Sequence, residues 1–389
     1  MKAFVNGKIV TSDKVIDNGV LITQKDRILT VIDCKHERAE IPEQAEIVDA
    51  EGFYIAPGFV DIHCHGGGEK YFFQDPERAR LHHLRGGTTS VCATLGYTYS
   101  HEETLEYAKI IIEACKKKGT NLAGIHFEGP YINPKFGSNS HLTRPINSSE
   151  YEELYELAKG YIRQWMISPE LEGASEYADF ILSKGIALAL GHTGASPDTI
   201  YEFVDKGASI ITHLYDAMGC HLGNESVKIT GIIQDTVSDA VLAVGDRVYC
   251  EIIADSLAIH VKPANLKLVY RCIGPERTIL ITDSTIARLD QSGFGKDDIR
   301  SAPDLNFNLS GGLSGSKLTM EMAARNFVKY TGATIPEIVK MASENPAKAV
   351  GIYDEAGSLE PGKLANIILF DDELKIHKVY LRGNLEVEK

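Results

Sequence analysis

Short apolar runs alternate with helical patterns through the middle of the chain, from about residue 55 to residue 352. Eight runs have the length and composition of buried strands: GFVDIH, TTSVCAT, LAGIHFEG, YIRQWMIS, IALALGHT, ASIITHLY, YCEIIAD and TILITDS. Helical patterns lie between them at 103–119, 175–185, 196–207 and 263–274. This alternation predicts an α/β fold, a (β/α)8 TIM barrel. An open doubly wound sheet is less favoured, because no glycine-rich phosphate turn opens a helix after the first strand.

Both ends of the chain have a different pattern, with short strands separated by turns. The first part contains KAFVNGKIV, GVLITQKDRILTVID and AEIVDAEGFYIAP, and the last part contains ANIILFD and IHKVYLRG. Two β-rich ends that flank a long middle predict one small β-sandwich domain built from both termini. The predicted segments are 1–54 and 353–389 for the sandwich and 55–352 for the barrel.

Composition limits the partners of the protein. The 389 residues carry a formal net charge of -14 and contain no basic cluster, so nucleic acid and an anionic membrane surface are not expected partners. The 7 cysteines are scattered without CxxC spacing, which is typical of a reducing compartment. The N-terminus lacks a signal-peptide pattern, and no run reaches the length of a membrane span. These features predict a cytoplasmic protein that binds a small molecule.

Residues that can bind a metal or transfer a proton follow most of the predicted strands. In a barrel these strand ends meet at one mouth, where active sites lie. A lone histidine there is more often a hydrogen-bonded structural residue, and a lone aspartate is often a helix cap. The joint pattern nevertheless favours a site, whereas His82 and His83 are expected to be solvated helix residues. In chain order, the strand-end residues are His63, His65, Glu128, His192, His213, Asp255, His260 and Asp283.

Histidines combined with carboxylates indicate a metal of a particular class. Imidazole ligands fit a first-row divalent ion such as zinc or iron(II), whereas oxygen ligands alone would indicate magnesium or calcium. His63 and His65 lie two residues apart on an extended strand and therefore project from the same face. A carboxylate that binds no metal can act as a general base, and Asp283 is the candidate. The residues thus predict metal-assisted hydrolysis of a C–N or similar bond.

Six motifs in this chain resemble those of the amidohydrolase superfamily: PGFVDIHCHGGG, GIHFEGPYINP, LGHTGAS, THLYDAM, IADSLAIHV and ITDS. Within that superfamily the chain is most similar to the N-acetylglucosamine-6-phosphate deacetylase family. HFEGPY and THLYDAM carry this closer resemblance, which runs nearly end to end and includes GSLEPGKLANIILFD. The resemblance implies a metal-bearing barrel with a small β-sandwich, an amino-sugar phosphate as substrate, and a homodimer.

The resemblance also implies roles for individual residues. Glu128, His192 and His213 would hold the main metal. Asp283 would take a proton from the attacking water and then pass it to the leaving amine, giving acetate and an amino-sugar phosphate. His63 and His65, which vary within the family, are present here, so we predict a second ion that shares Glu128. The implied substrate-binding residues are His141, Asp216, Ala217, His260, Leu313, Ser314 and Gly315.

The chain departs from the family pattern around the sugar. Asp216 stands where the family usually has asparagine, and a carboxylate would repel a phosphate by about a kcal/mol or more at short range. The arginine that usually follows is missing from GCHLGNESVKITG, in which Lys228 offers only a point charge. Arg144 is another candidate source of positive charge. The stretch between Asp283 and Gly311 also differs in length and content.

Three alternatives remain at this stage. A deacylase of the same fold could act on an unphosphorylated or different N-acyl substrate, as Asp216 and the missing arginine suggest. A binding protein that retains the barrel is disfavoured, because the metal-binding residues are all present. A binuclear hydrolase with a carbamylated lysine is also disfavoured, since the nearest lysines, Lys135 and Lys184, lie in a loop and near a helix end.

Overall fold

The computed structural model describes residues 1–36, 38–137, 142–219 and 235–389. Its centre is an 8-stranded parallel sheet whose strands follow one another in chain order. The backbone N–H of Asp283 donates to the carbonyl of His63 at 2.9 Å, which brings the eighth strand beside the first. The sheet is therefore a nearly closed barrel, as predicted. Its strands are Phe59–Cys64, Thr88–Leu95, Leu122–Phe127, Ile162–Ile167, Ala187–Leu190, Ile210–Ile211, Tyr249–Ile253 and Thr278–Ile281.

Helices cover the outside of the barrel and bury their apolar faces against it. Those at Ala174–Ser183, Pro197–Lys206 and Pro263–Cys272 lie within two residues of the predicted patterns. The helix His101–Cys115 begins where Ser100 and Glu103 form a capping box. The other helices are Pro76–Arg85, Ser148–Ala158, Val237–Ala243, Met320–Thr331, Ile335–Val339 and Asn345–Ala349, with a π-helical turn at Lys340–Glu344 and 3-10 turns at Pro134–Phe136 and Ile299–Ser301.

The two chain termini form a β-sandwich beside the barrel. One sheet has 4 strands, Lys2–Val5, Gly19–Gln24, Arg27–Asp33 and Glu46–Asp49. The other has 6 strands, Lys8–Val10, Val15–Ile16, Tyr54–Pro57, Ile367–Phe370, Ile376–Leu381 and Asn384–Glu388. Phe4 and Leu21 from the first sheet share an apolar core with Ile55 and Ile367 from the second. Sequence from both ends is thus needed to complete this core.

Gly58 connects the sandwich to the barrel. It follows the sandwich strand Tyr54–Pro57 and precedes the barrel strand that begins at Phe59. A Cβ atom at Gly58 would lie 2.1 Å from Oγ1 of Thr89, so any larger residue would force the first two barrel strands apart. The exact limits of the three predicted segments stay a prediction.

Two short hairpins extend from the mouth of the barrel. Gly66–Gly67 pairs with Lys70–Tyr71 after the first barrel strand, and Leu305–Phe307 pairs with Leu313–Ser316 after the eighth. Both therefore stand at the carboxyl ends of the strands, where the chemistry is expected. Within the described ranges, no helix is long and apolar enough to span a membrane.

Candidate metal centre and substrate cavity

A cavity of about 600 Å³ opens at the carboxyl-terminal mouth of the barrel. The metal-binding and catalytic candidates that line it come from five different strand ends, and they are His65, Glu128, His192, His213 and Asp283. Its other walls are loops, including Tyr97–Tyr99 after the second strand and Leu313–Gly315 in the late hairpin. The cavity is thus large enough for a small-molecule substrate.

Glu128 is the central ligand candidate. It is 4% exposed, and its Oε1 atom lies 2.9 Å from Nε2 of His192 and 3.2 Å from Nε2 of His213. Its other oxygen, Oε2, lies 3.3 Å from Nε2 of His65. One carboxylate therefore faces both halves of the site, and it belongs to two groups of residues that could each hold an ion.

The first strand supplies the second half of the site. Nε2 of His63 lies 3.4 Å from Oε1 of Glu128, and Nε2 of His65 lies 3.2 Å from Oδ1 of Asp283. Asp283 Oδ1 is also 3.6 Å from Nε2 of His63. The two histidines project the same way, as their spacing predicts, and Asp283 is the carboxylate beside them.

Backbone carbonyls fix the protonation of the main ligand pair. Nδ1 of His192 lies 2.6 Å from the carbonyl of Phe136, and Nδ1 of His213 lies 3.1 Å from the carbonyl of Asp216. A carbonyl can only accept, so each Nδ1 carries a proton and each Nε2 faces the site, where it can offer a lone pair to a metal once it is deprotonated. Those two Nε2 atoms are 3.1 Å apart and face a carboxylate oxygen. Such a cluster of electron donors suits a divalent cation.

Glu251 fixes His63 in the same way. This fully buried carboxylate lies 3.0 Å from Nδ1 of His63 and accepts a hydrogen bond from Gln164 at 2.8 Å. Nδ1 of His63 therefore donates, and its Nε2 faces Glu128 and Asp283. That Nε2 atom is buried and has no hydrogen-bond partner among the described residues. An unsatisfied buried nitrogen is costly, and a metal ion would satisfy it.

The charges of the site stabilise one another. Burial opposes a charged imidazole, but Glu128 and Glu251 raise the pKa of His63 well above its usual value. Burial likewise opposes the charge on His65 and His213, but neighbouring carboxylates raise the pKa of each to about 9. Burial would raise the pKa values of Glu128 and Asp283, yet the surrounding histidines hold both below the usual range. Both carboxylates are therefore ionised and able to face a cation.

Three of these residues adopt a left-handed backbone conformation. The φ angles are 47° for His192, 28° for His213 and 45° for Asp283. Each stands just after its barrel strand, where the chain turns out of the sheet. A non-glycine residue in this region costs about 1–3 kcal/mol and persists only where its surroundings hold it. The strained residues are the same ones that the sequence predicts to bind metal (His192 and His213) or to transfer a proton (Asp283).

The predicted substrate residues are divided between the cavity and the protein interior. Leu313, Ser314, Gly315, Asp216 and Ala217 line the cavity, and Oδ1 of Asp216 accepts a hydrogen bond from the N–H of Ala217 at 2.9 Å.

The remaining candidates for the sugar side lie elsewhere. His260 is 5% exposed and is not among the described cavity residues; its ring lies between Asp255, at 3.0 Å, and the carbonyl of Gly315, at 3.2 Å. His141 and Lys228 lie outside the described residues. Arg144 forms an ion pair with Glu150 at 2.7 Å, so its charge is already neutralised and is not available for a phosphate.

Two expectations from sequence need correction. His83 is not solvated: it is fully buried, and its Nε2 lies 2.9 Å from the carbonyl of Gly66 and 3.1 Å from Sγ of Cys64. It packs there because the first helix lies directly over the turn after the first strand. Asp255 ends a strand but does not face the cavity, since its oxygens accept from the N–H groups of Ile259 and His260. It shapes the loop that carries His260.

Sequence reasoning missed several residues that shape the site. Glu251 could have been found, because it is a charged residue inside the apolar strand YCEIIAD. Arg288 lines the cavity from a loop, Lys135 from a 3-10 turn and Tyr71 from a short hairpin, where no periodic pattern marks them.

The chain is similar to known proteins over most of its length. A sequence model of the amidohydrolase family matches residues 54–386. The chain is 30% identical to the N-acetylglucosamine-6-phosphate deacetylase of Bacillus subtilis (strain 168), over 97% of this chain and 95% of that protein. It is 28% identical to the N-acetylgalactosamine-6-phosphate deacetylase of Escherichia coli O157:H7, over 88% of this chain and 90% of that protein.

A solved structure has the same fold. It is a mutant N-acetyl-D-glucosamine-6-phosphate deacetylase from Mycobacterium smegmatis in complex with N-acetyl-D-glucosamine-6-phosphate. Its TM-score with this chain is 0.82 at 27% identity, covering 99% of this chain and 98% of that one.

Proposed function

The chain belongs to the amidohydrolase family, and we propose that it removes the acetyl group from N-acetylglucosamine 6-phosphate, giving glucosamine 6-phosphate and acetate. The observation that carries this proposal is the meeting of Glu128, His192, His213 and Asp283 at one end of a single cavity. The names of the similar proteins supply the substrate class. We disfavour the binding-protein alternative, because the similar proteins are named deacetylases and the candidate ligands lie together in this chain.

Two divalent ions, zinc or iron(II), would share Glu128. One would be held by Glu128, His192 and His213 and the other by His63, His65 and Glu128. A divalent ion in this position lowers the pKa of water and polarises a carbonyl oxygen. Glu251, Phe136 and Asp216 keep the ligand rings turned toward the site.

Asp283 performs the proton transfers. Its lowered pKa keeps it ionised near neutral pH, so it can accept a proton from the water that attacks the acetyl carbon. As the C–N bond breaks, the same carboxyl group donates that proton to the departing nitrogen, which leaves as a neutral amine. The new C–O bond remains in acetic acid, which releases the second proton of the water to solvent and becomes acetate, and Asp283 returns to its ionised form.

Steady-state kinetics on paired sugars test the proposed function. The enzyme should hydrolyse N-acetylglucosamine 6-phosphate with a kcat/KM far above that for N-acetylglucosamine. Absence of hydrolysis of every N-acetyl sugar by metal-loaded protein would overturn the proposal. Equal kcat/KM for the two sugars would favour the alternative of an unphosphorylated substrate.

A second candidate substrate is N-acetylgalactosamine 6-phosphate. The relative from Escherichia coli O157:H7 that bears this name is almost as similar as the one named for the glucosamine sugar. The two sugars differ only in the configuration at C4, so their kcat/KM values on this enzyme decide between them.

Elemental analysis tests the number and identity of the ions. Metal-replete wild type should hold two ions per chain, and a His63→Asn, His65→Asn double variant should hold one. One ion in the wild type would show that the histidine pair serves only as hydrogen-bonding residues.

Location and assembly are further proposals. We expect a cytoplasmic protein, because the six cysteines in the described residues are all free thiols. We also expect a homodimer, and light scattering after gel filtration measures it.

A further inference from the structure

The cavity wall contains two cations that form no ion pair with any carboxylate of the described residues. Arg288 and Lys135 both line the cavity, and neither lies within ion-pair distance of an acidic side chain in the part of the chain that the structure describes. The other charged groups on the wall are the acids Glu128, Asp216 and Asp283. In a protein with a net charge of -14, unpaired cations facing a cavity favour an anionic ligand.

Arg288 is the better anchored of the two. It follows the eighth barrel strand, and one guanidinium nitrogen donates to the hydroxyl of Tyr71 at 3.2 Å. A guanidinium has five N–H donors in a planar fork, so most of its donors stay available after this bond. No carboxylate of the described ranges pairs with Arg288, so those donors can bind a ligand.

An aromatic stack holds Tyr71 in place. The ring of Tyr71 stacks on Phe73 with centroids 5.1 Å apart, and Phe73 stacks on Tyr107 at 3.9 Å. Tyr107 belongs to the helix His101–Cys115, which packs on the barrel. The hydrogen bond to Tyr71 therefore ties Arg288 to the rigid part of the fold, although Arg288 itself lies in a loop.

We propose that Arg288, positioned by Tyr71, binds the 6-phosphate of the substrate. This inference rests on the proposed function, because it assigns a residue to the phosphate of that substrate. The acetamide at C2 must reach the metal-facing end, so C6 and its phosphate lie on the other side of the sugar ring, toward the loop walls. A planar arginine fork matches two phosphate oxygens, which a lysine cannot do. Arg288 thus supplies the group that the stretch after THLYDAM lacks.

Lys135 has a different role. Its side chain is exposed on the 3-10 turn Pro134–Phe136 and has no aromatic anchor like that of Arg288. A lysine ammonium is a point charge on a flexible stem, so Lys135 contributes attraction but no fixed geometry. Lys135→Met is therefore expected to weaken binding of the phosphorylated sugar less than Arg288→Met does.

Kinetics on the metal-loaded enzyme test the inference. Arg288→Met should raise KM for N-acetylglucosamine 6-phosphate roughly 10- to 100-fold, the loss expected for a hydrogen bond to a charged group, with kcat within about 3-fold. Its kcat/KM for N-acetylglucosamine should match that of the wild type. Arg288→Lys and Tyr71→Phe should each raise KM less. Inorganic phosphate should compete with substrate in the wild type and at least 10-fold more weakly in Arg288→Met.

The matched control is Arg271→Met, which removes the same charge from the exposed face of the helix Pro263–Cys272. It should behave as the wild type. A wild type that prefers the phosphorylated sugar, together with an Arg288→Met variant that keeps the full preference, would overturn the inference and leave the proposed function standing. A larger rise in KM from Lys228→Met than from Arg288→Met would also overturn it. A wild type that gains nothing from the phosphate would overturn the proposed substrate itself.

Discussion

The two ends of the cavity are built from different kinds of structure. The metal-facing end consists of strand-end residues, namely His63, His65, Glu128, His192, His213 and Asp283, and all except His65 are at most 6% exposed. The sugar-facing wall consists of loop and hairpin residues, namely Tyr71, Arg288, Asn306 and Leu313–Gly315. At the first end, barrel geometry and buried hydrogen bonds position each group. At the sugar-facing wall, each group is positioned by individual side-chain contacts.

From this difference we propose different tasks for the two ends. Proton transfer and metal binding need atoms held within a fraction of an ångström, which strained backbone and buried carboxylates provide. Recognition of a sugar needs donors that a substrate can reach, which requires exposure. Substitutions at the metal-facing end should therefore change kcat and metal retention, and those at the sugar-facing wall should change KM.

The largest expected effect is that of Asp283→Asn. The amide keeps the shape of the carboxylate but cannot accept a proton, so kcat should fall about 10²- to 10⁴-fold. Metal content should stay at the wild-type value. The control is Asp255→Asn, because Asp255 is buried at the next strand end but faces away from the cavity. Asp255→Asn should lower the melting temperature of the protein without the large fall in kcat expected for Asp283→Asn. A kcat within tenfold of wild type in Asp283→Asn would remove Asp283 from the mechanism.

Glu251→Gln should have the next largest effect. Its amide cannot both accept from Nδ1 of His63 and satisfy Gln164, so the ring of His63 loses its fixed tautomer. Loss of such a supporting carboxylate costs about 10- to 100-fold in metal affinity. Competition with a chelator, followed by elemental analysis, measures this. Glu276→Gln, which removes an exposed carboxylate paired with Lys340, is the matched control. Equal metal retention in both variants would mean that Glu251 does not support the ion.

The metal-facing end was also the part that sequence could predict. A period of two residues fixes which side chains of a strand share a face, and a barrel brings all its strand ends to one mouth. His63, Glu128, His192 and Asp283 could therefore be assembled without coordinates. Glu251 lies inside the strand Tyr249–Ile253 and not at its end, so the strand-end pattern does not include it.

The sugar-facing wall could not be predicted in this way. Arg288 stands five residues after Asp283, in a stretch with no periodicity, and its position depends on a tyrosine more than 200 residues away in sequence. Burial of His83 likewise depends on how one helix lies over a turn. Such contacts follow from tertiary packing, which hydrophobic patterning does not encode.

Substitution of Asn306 should have the smallest effect, and it tests most closely whether the two ends of the cavity act separately. Its amide nitrogen donates to the carbonyl of Ser314 at 2.8 Å and to that of Ile286 at 3.2 Å, so it joins the late hairpin to the loop that carries Arg288. Asn306→Ala leaves both carbonyls without this donor, which costs about 1–3 kcal/mol of folding free energy. If the sugar-facing wall only recognises substrate, KM for the phosphorylated sugar should rise a few-fold while kcat and metal content stay unchanged.

Asn384→Ala is the control for this last test, because Asn384 is exposed on a strand of the sandwich and is not among the residues that line the cavity. It should alter neither KM nor stability. A fall in kcat or a loss of metal in Asn306→Ala would show that the sugar-facing wall and the metal-facing end are mechanically coupled. The connection would run through Gly315, which follows Ser314 directly and whose carbonyl lies 3.2 Å from the ring of His260. In that case the charged side chains of the two ends would act separately, but changes in the backbone of the sugar-facing wall would also affect the metal-facing end.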